Sequence, residues 1–440
     1  MSSRQRRAFL KAACKAIQGG DLIPIIGDTI RNEHIFDVDN DDNIGLKWSF
    51  WEGSNPLYRG DMQPINREAQ QINAAEMDIE QNITHEAASK AKAPVKAVPR
   101  RHHNLPVDFE KMNITEELAY YWVKSFEEEE DEELKYPLAD SFNIARVAQY
   151  LTFFSQEYPI DAKSYYLEFL KKTLLKGACE AAKMAGNEEE IAFIAHLRRW
   201  LEDYTFSDLV AELDFPRFKG KGVKSKDDPL YLLANLNQKL YITTSYHDFI
   251  ERELEAANKK PRTRICRWHD AIQLRPEYVD EPGEWPTVEE PIVFHLFGIE
   301  QSPESLVLSE NDYLDLLLAL GRDQIAEDHE GLSIIPPYVE RGLKNFPLLL
   351  LGYRLHDWDL RVILRGLCRM RKEDSGNRNN NSMAIQIDIK KQPLVVDATH
   401  AETYLRNYYG QQVKNLSVEF DDSTQFVKEL WAKYRNDDCQ

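Results

Sequence analysis

The stretch Asn345–Gly366, NFPLLLLGYRLHDWDLRVILRG, decides the fold. Phe346 to Leu351 is an unbroken apolar run with a proline near its start, the pattern of a strand covered on both faces in a parallel sheet. Gly352 ends the run. After a polar turn, Asp357 is placed to cap a helix on which Leu360, Ile363, Leu364 and Leu367 recur along one face. The unit is therefore strand, glycine turn, helix. In an open α/β sheet, ligands sit at the carboxyl ends of such strands, where glycine admits close backbone approach and a helix N-terminus attracts anions. Taken alone, the stretch reads more simply as one more crossover of such a sheet than as a ligand site.

Working outward, the same alternation recurs. On the C-terminal side, Lys372 to Asn381 is loose, and then strands at Met383–Ile389 and Leu416–Phe420 alternate with helices at Glu402–Tyr409 and Ser423–Tyr434. On the N-terminal side, strands are expected at Lys239–Tyr246, Arg262–Trp268 and Pro291–Gly298, with a helix at His247–Asn258 and another around Val339–Leu343. Ser309 opens one more helix, with Asp312 completing an imperfect capping box. Repeated strand-helix units imply an α/β fold, a parallel sheet with helices on both faces.

The first crossover lies far upstream. A helix carrying Phe9, Leu10, Ala13 and Ile17 breaks at Gly19-Gly20, and a short strand, Leu22–Ile26, runs into Gly27-Asp28-Thr29. Gly27 would let a phosphate approach the backbone, although a lone glycine after a strand is more often only a turn. Asp28 would repel a phosphate but can accept hydrogen bonds from a ribose.

Between these parts the pattern changes twice. From Asn32 to Asp108 no apolar period persists, which marks an insertion or cover; within it Arg100 to His103 suits an anion, a metal or an exposed loop. From Asn113 to Leu213 helical spacing dominates, with Ser141 as a cap for a helix bearing Ile144, Val147, Ala148 and Leu151. Further helices are expected at Ala162–Leu175, Glu188–Tyr204 and Ser207–Leu213, and the acidic run Glu127–Glu133 reads as a solvated face. The aromatics Tyr150, Phe153, Phe154, Tyr165, Tyr166, Phe169 and Trp200 suit either a core or a pocket wall. Phe218–Asp228 is a polar linker. The expected organisation is 1–30, the first helix, strand and turn; 31–112, an irregular insertion; 113–225, a helical insertion subdomain; and 226–440, the remainder of the sheet domain.

Composition narrows the function classes. The 440 residues are 42% hydrophobic, enough for a substantial core, and the net charge of -19 repels nucleic acid. No apolar stretch is long enough to span a bilayer, and the N-terminus lacks a secretory h-region, so a cytoplasmic protein is expected. Cys14, Cys179, Cys266, Cys368 and Cys439 are widely spaced with no C-x-x-C pair, so neither a disulfide framework nor a zinc site is expected.

Three segments carry a resemblance. KLYITTSYHDFIERELEAANKKPRTRICRW (Lys239–Trp268), PIVFHLFGIEQSPESLVLSENDYLDLL (Pro291–Leu317) and FPLLLLGYRLHDWDLRVILRG (Phe346–Gly366) resemble the prokaryotic sirtuin-like family in order and approximate separation. The closing DDSTQFVKELWAKY is similar as well. The resemblance implies a Rossmann-like NAD-binding fold with a helical insertion. It also implies an activity, cleavage of NAD to nicotinamide and ADP-ribose in antiphage defence, and a setting as a homo-oligomer or beside a sensor or ATPase partner.

The family's functional residues carry over unevenly. Its phosphate loop appears as Ile26-Gly27-Asp28-Thr29, and its Thr-Thr-Asn-Tyr-Asp motif as Thr243-Thr244-Ser245-Tyr246-His247, with Ser245 in place of the asparagine. Phe297 stands where the catalytic histidine should precede Gly298, and the ribose-binding turn appears as Gly352-Tyr353-Arg354. Cleavage of the nicotinamide bond passes through an oxocarbenium-like state that needs ribose-holding groups, a placed nucleophile and a proton acceptor. Ser245, His247 and His295 are the candidates: His295 because residues two apart in a strand share a face, which would bring it to the cavity beside Phe297. A buried histidine satisfied by the backbone, and a helix-entry residue, are the plainer readings of His295 and His247. Two functions follow, an NAD-cleaving effector and a degenerate subunit that senses NAD or ADP-ribose or serves as a scaffold. A protein deacylase stands behind both, because the zinc-binding cysteine pairs of that branch are absent.

Overall fold

Seven short strands form one parallel sheet: β1 (Ile23–Ile26), β2 (Leu240–Thr243), β3 (Arg262–Ile265), β4 (Ile292–His295), β5 (Leu348–Leu351), β6 (Met383–Gln386) and β7 (Leu416–Glu419). Their order across the sheet is β3-β4-β2-β1-β5-β6-β7. The apolar runs IPII, LYIT, IVFH and LLLL are buried at every position and form its middle, β4, β2, β1 and β5. RTRI, whose first three residues are half-buried, forms the β3 edge, where charged side chains discourage further pairing. On one side of β1 the chain lays down β2, then the β3 edge, then β4 between them, and it crosses to β5 on the other side. The order therefore reverses between β1 and β5, the switch point at which open α/β sheets leave a crevice.

This computed structural model describes residues 3–27, 30, 35, 43–44, 114–128, 135–154, 161–215, 217–218, 228–269, 272, 285–323, 333–353, 362, 363, 366, 383–386, 397–412, 416–419 and 423–436. The described residues belong to one compact unit. Outside them lie Asp28, Thr29, Arg100 to His103, most of the helix expected after Asp357, Arg354, Cys368 and Cys439.

Period-two alternation sorts the strand residues into two layers. Phe294, Ile242, Ile25 and Leu350 form one cross-strand row, all fully buried, on the face shared with Tyr313, Leu316 and Val339. The next row, His295, Thr243, Ile26 and Leu351, closes the strands at their carboxyl ends. Ile26 and Leu351 of that row join the opposite layer, in which the helical segment packs.

The helices are α1 (Ser3–Gly19), α2 (Ile114–Glu128), α3 (Ile144–Phe153), α4 (Ala162–Ala185), α5 (Glu188–Arg199), α6 (Phe206–Glu212), α7 (Pro229–Ala234), α8 (Phe249–Ala256), α9 (Glu310–Asp323), α10 (Pro337–Asn345), α11 (Ala398–Gln412) and α12 (Ser423–Arg435). Several expected limits move. Asn143, not Ser141, caps α3, its side chain accepting from Arg146 N at 3.2 Å. α4 continues past Leu175 until Gly186, at φ 65°, turns the chain, and α5 stops at Arg199 rather than Tyr204. Ser309 and Asp312 do form the expected box, with Ser309 N donating to Asp312 at 2.8 Å and Asp312 N to Ser309 Oγ at 3.2 Å.

The aromatic group divides. Tyr166 and Phe169 pack on buried Trp122, with centroids at 4.9 and 6.4 Å, whereas Phe153 and Trp200 are 63% and 52% exposed. A pairing invisible to pattern reading is the antiparallel bridge of Asn43–Ile44 with Arg217–Phe218, which joins the expected insertion to the expected linker. Among the described residues no helix is long and apolar enough to cross a membrane.

Candidate functional site

The carboxyl ends of β1 and β2 border a small cavity of about 10 Å3. Ile26, Gly27, Thr243, Ser245 and His247 line it, with Leu230 from α7 as an apolar wall. Space of that size takes about one water molecule.

The turn after β2 is braced through its own side chains. Thr243 Oγ1 donates to Ile26 O at 3.0 Å and accepts from Ser245 N at 3.0 Å, while His247 N donates to Ser245 Oγ at 3.3 Å. Thr244 N donates to Ile26 O at 3.0 Å, which ties the turn to the end of β1. Hydroxyl residues suit this segment because their side chains take over backbone hydrogen bonds that a turn cannot make internally.

His247 is 2% exposed, its ring held between Phe206 of α6 at 4.7 Å and Phe249 of α8 at 5.0 Å. Its Nδ1 lies 3.2 Å from Glu300 Oε1, an ion pair when the ring is protonated. Glu300 is itself buried and accepts from the first two N–H groups of α6, from Phe206 N at 2.7 Å and Ser207 N at 3.2 Å, and from the Ser207 hydroxyl. Those N–H groups would otherwise be orphans at a helix start.

His295 occupies a different environment from the one expected. The strand ends at His295, so the alternation does not continue to Phe297. Phe297 is fully buried in the layer with Tyr313, whose ring meets it edge-on at 5.4 Å. His295, also fully buried, directs Nδ1 to Ser245 O at 3.0 Å and Nε2 to Glu251 Oε1 at 2.7 Å. Burial depresses the basicity of the ring, but the Glu251 charge and hydrogen bond and the Ser245 carbonyl outweigh it, so the pKa stands above 6.5. Both ring nitrogens are engaged. His295 supports the Ser245 backbone from beneath and does not line the pocket.

The remaining expected binding residues also divide. Gly352, at φ 72°, and Tyr353 sit at the switch point beside Gly27, and the Tyr353 hydroxyl lies 3.2 Å from Thr244 Oγ1. Tyr246 donates its hydroxyl to Val307 O at 2.6 Å. Gly298, at φ 83°, passes so close to the Ser305 backbone that a side chain would overlap it, which makes it a turn residue carrying Glu300 toward α6. Asp28, Thr29 and Arg354 lie outside the described residues.

Glu300 and Glu251 are absent from the sequence expectation. Neither sits in a recognisable spacing with its histidine, and each meets it only through the crossing of separate units. No match to the chain is found among curated proteins. Residues 239–410, which include Thr243 to His247, Gly298 and Gly352 to Arg354, match the family model of the SIR2-like domain.

Proposed function

We propose that the chain binds NAD at the carboxyl ends of β1 and β2 and cleaves it to nicotinamide and ADP-ribose. The observation that carries the reading is that Ser245 and His247 line one pocket with Gly27, while a buried carboxylate faces His247. In the reaction, water adds to the ribose carbon as its bond to nicotinamide breaks, and nicotinamide leaves with the bonding electrons. Ser245 Oγ orients the water or a ribose hydroxyl, and His247 takes the proton the water releases. Glu300 stabilises the charge that then forms on the ring. His295 acts only through the Ser245 carbonyl. Destruction of NAD suits an effector of antiviral defence, held quiet until a second copy of the chain or a sensor or ATPase partner engages it.

The test is incubation of purified protein with NAD, with nicotinamide and ADP-ribose followed by chromatography. Ser245→Ala and His247→Ala should each lower the rate, His247→Ala by about 10²–10⁴-fold. Wild-type rates in both variants would remove this site. A second reading, a nucleotide sensor without turnover, is favoured by Phe297, whose burial against Tyr313 puts an apolar ring where the family keeps its histidine. Saturable ADP-ribose binding in calorimetry with no nicotinamide released would support it.

A further inference from the structure

The geometry points to Glu300 as a positioning residue that couples the helical segment to the pocket, so that the placement of His247 depends on the docking of α6. This inference rests on the pocket assignment above and concerns its control. Glu300 is joined to the pocket turn twice, through its own N–H, which donates to Tyr246 O at 2.8 Å, and through the carboxylate facing His247 at 3.2 Å. The same carboxylate receives the start of α6, and Phe206, the first residue of that helix, forms one wall of the His247 sandwich. One side chain thus meets two elements that are about 40 residues apart in sequence, which leaves it no freedom to hold one without the other.

A second strut runs parallel to it. Arg252 of α8 meets Asp208 of α6 at 2.7 Å and Asp248, at the end of the pocket turn, at 2.6 Å. Thr205 and Asp208 close the α6 start as a capping box, so its first turn is a defined block rather than a frayed end. A partner that shifted α6 would draw Phe206 off the His247 ring and take the N–H donors from Glu300, which requires no contact at the pocket itself. That is a coupling between two places with named differential contacts.

The experiment compares wild type, Glu300→Gln, Glu300→Ala and Ser207→Ala. Each is followed by NAD cleavage, thermal unfolding and hydrogen exchange resolved at residues 206–212 and 243–248. Glu300→Gln keeps an acceptor oxygen for one of the two α6 N–H groups, sets an NH2 against the other, and removes the charge facing His247. It should lower kcat about 10–100-fold, with KM within about 2-fold and a thermal midpoint above that of Glu300→Ala. Glu300→Ala should accelerate exchange in both segments together, and Ser207→Ala should do so to a smaller extent. Unchanged kcat in Glu300→Gln, or faster exchange confined to 206–212 in Glu300→Ala, would overturn the coupling. If wild type releases no nicotinamide, the cleavage reading fails by itself, and the exchange comparison still decides whether Glu300 links the two segments.

Discussion

Gly27 and Gly352 back onto each other at the switch point: a Cβ on Gly27 would overlap the Gly352 carbonyl oxygen, and one on Gly352 would stand 2.9 Å from Ile30 N. The two strand ends are also tied by Gly27 N donating to Leu351 O at 2.8 Å. Gly27 thus serves the approach of β5 to β1 as well as lining the pocket. Gly27→Ala should cost about 1–3 kcal/mol, because backbone rather than a flexible side chain would have to move. Urea unfolding measures it, and a loss within experimental scatter would mean that the two turns separate freely.

The Tyr353 ring lies against Gly27, and its hydroxyl meets Thr244 Oγ1 at 3.2 Å, so one buried side chain crosses the end of β1 from β5 to β2. Through Gly27 it borders the pocket proposed for the dinucleotide. Tyr353→Phe removes this bond, at a cost of about 0.5–1.5 kcal/mol. The freed ring should let ADP-ribose associate faster in stopped-flow measurements. Slower or unchanged association would show that the ring is not in the way.

The sheet was legible because its middle strands are buried on both faces and are therefore largely apolar, as Leu348–Leu351 and Ile292–Phe294 are. The ends of those strands were not. His295 and Phe297 are two apart, and period two would set them on one face, but the strand stops at His295 and the turn carries Phe297 into the other layer. Ser245 and His247 were reached through the resemblance of Thr243–His247 to the family's motif. Glu300 was not, because its role arises where a turn after β4 meets a helix from a distant segment, and no local spacing encodes that meeting.

His295 ties stability to pH. Its folded pKa stands above 6.5, because Glu251 and the Ser245 carbonyl together outweigh the opposing effect of burial, with Asp248 adding to them. A raised folded pKa means that the contribution is fully present below the unfolded value of about 6.5 and is lost as pH rises through the folded value. The unfolding free energy of wild type should therefore fall with rising pH in that window relative to Glu251→Gln, in which the charge is gone. Parallel pH profiles for the two proteins, measured by urea unfolding, would show that the ring is not protonated by this pair.

Phe297→His recreates the family's residue type at the position before Gly298, yet it should not create the family's chemistry. The Phe297 ring is fully buried, meets Tyr313 edge-on at 5.4 Å and belongs to the layer on the far side of the sheet from the ring of His247. An imidazole there would lose apolar packing and bring polar nitrogens into a site built for a hydrocarbon ring, at a cost of about 1–3 kcal/mol. The expected outcome is a lower thermal midpoint with no gain in nicotinamide release. If release instead rises severalfold while the midpoint holds, position 297 turns toward the nucleotide, and the proton acceptor has to be sought there rather than at His247.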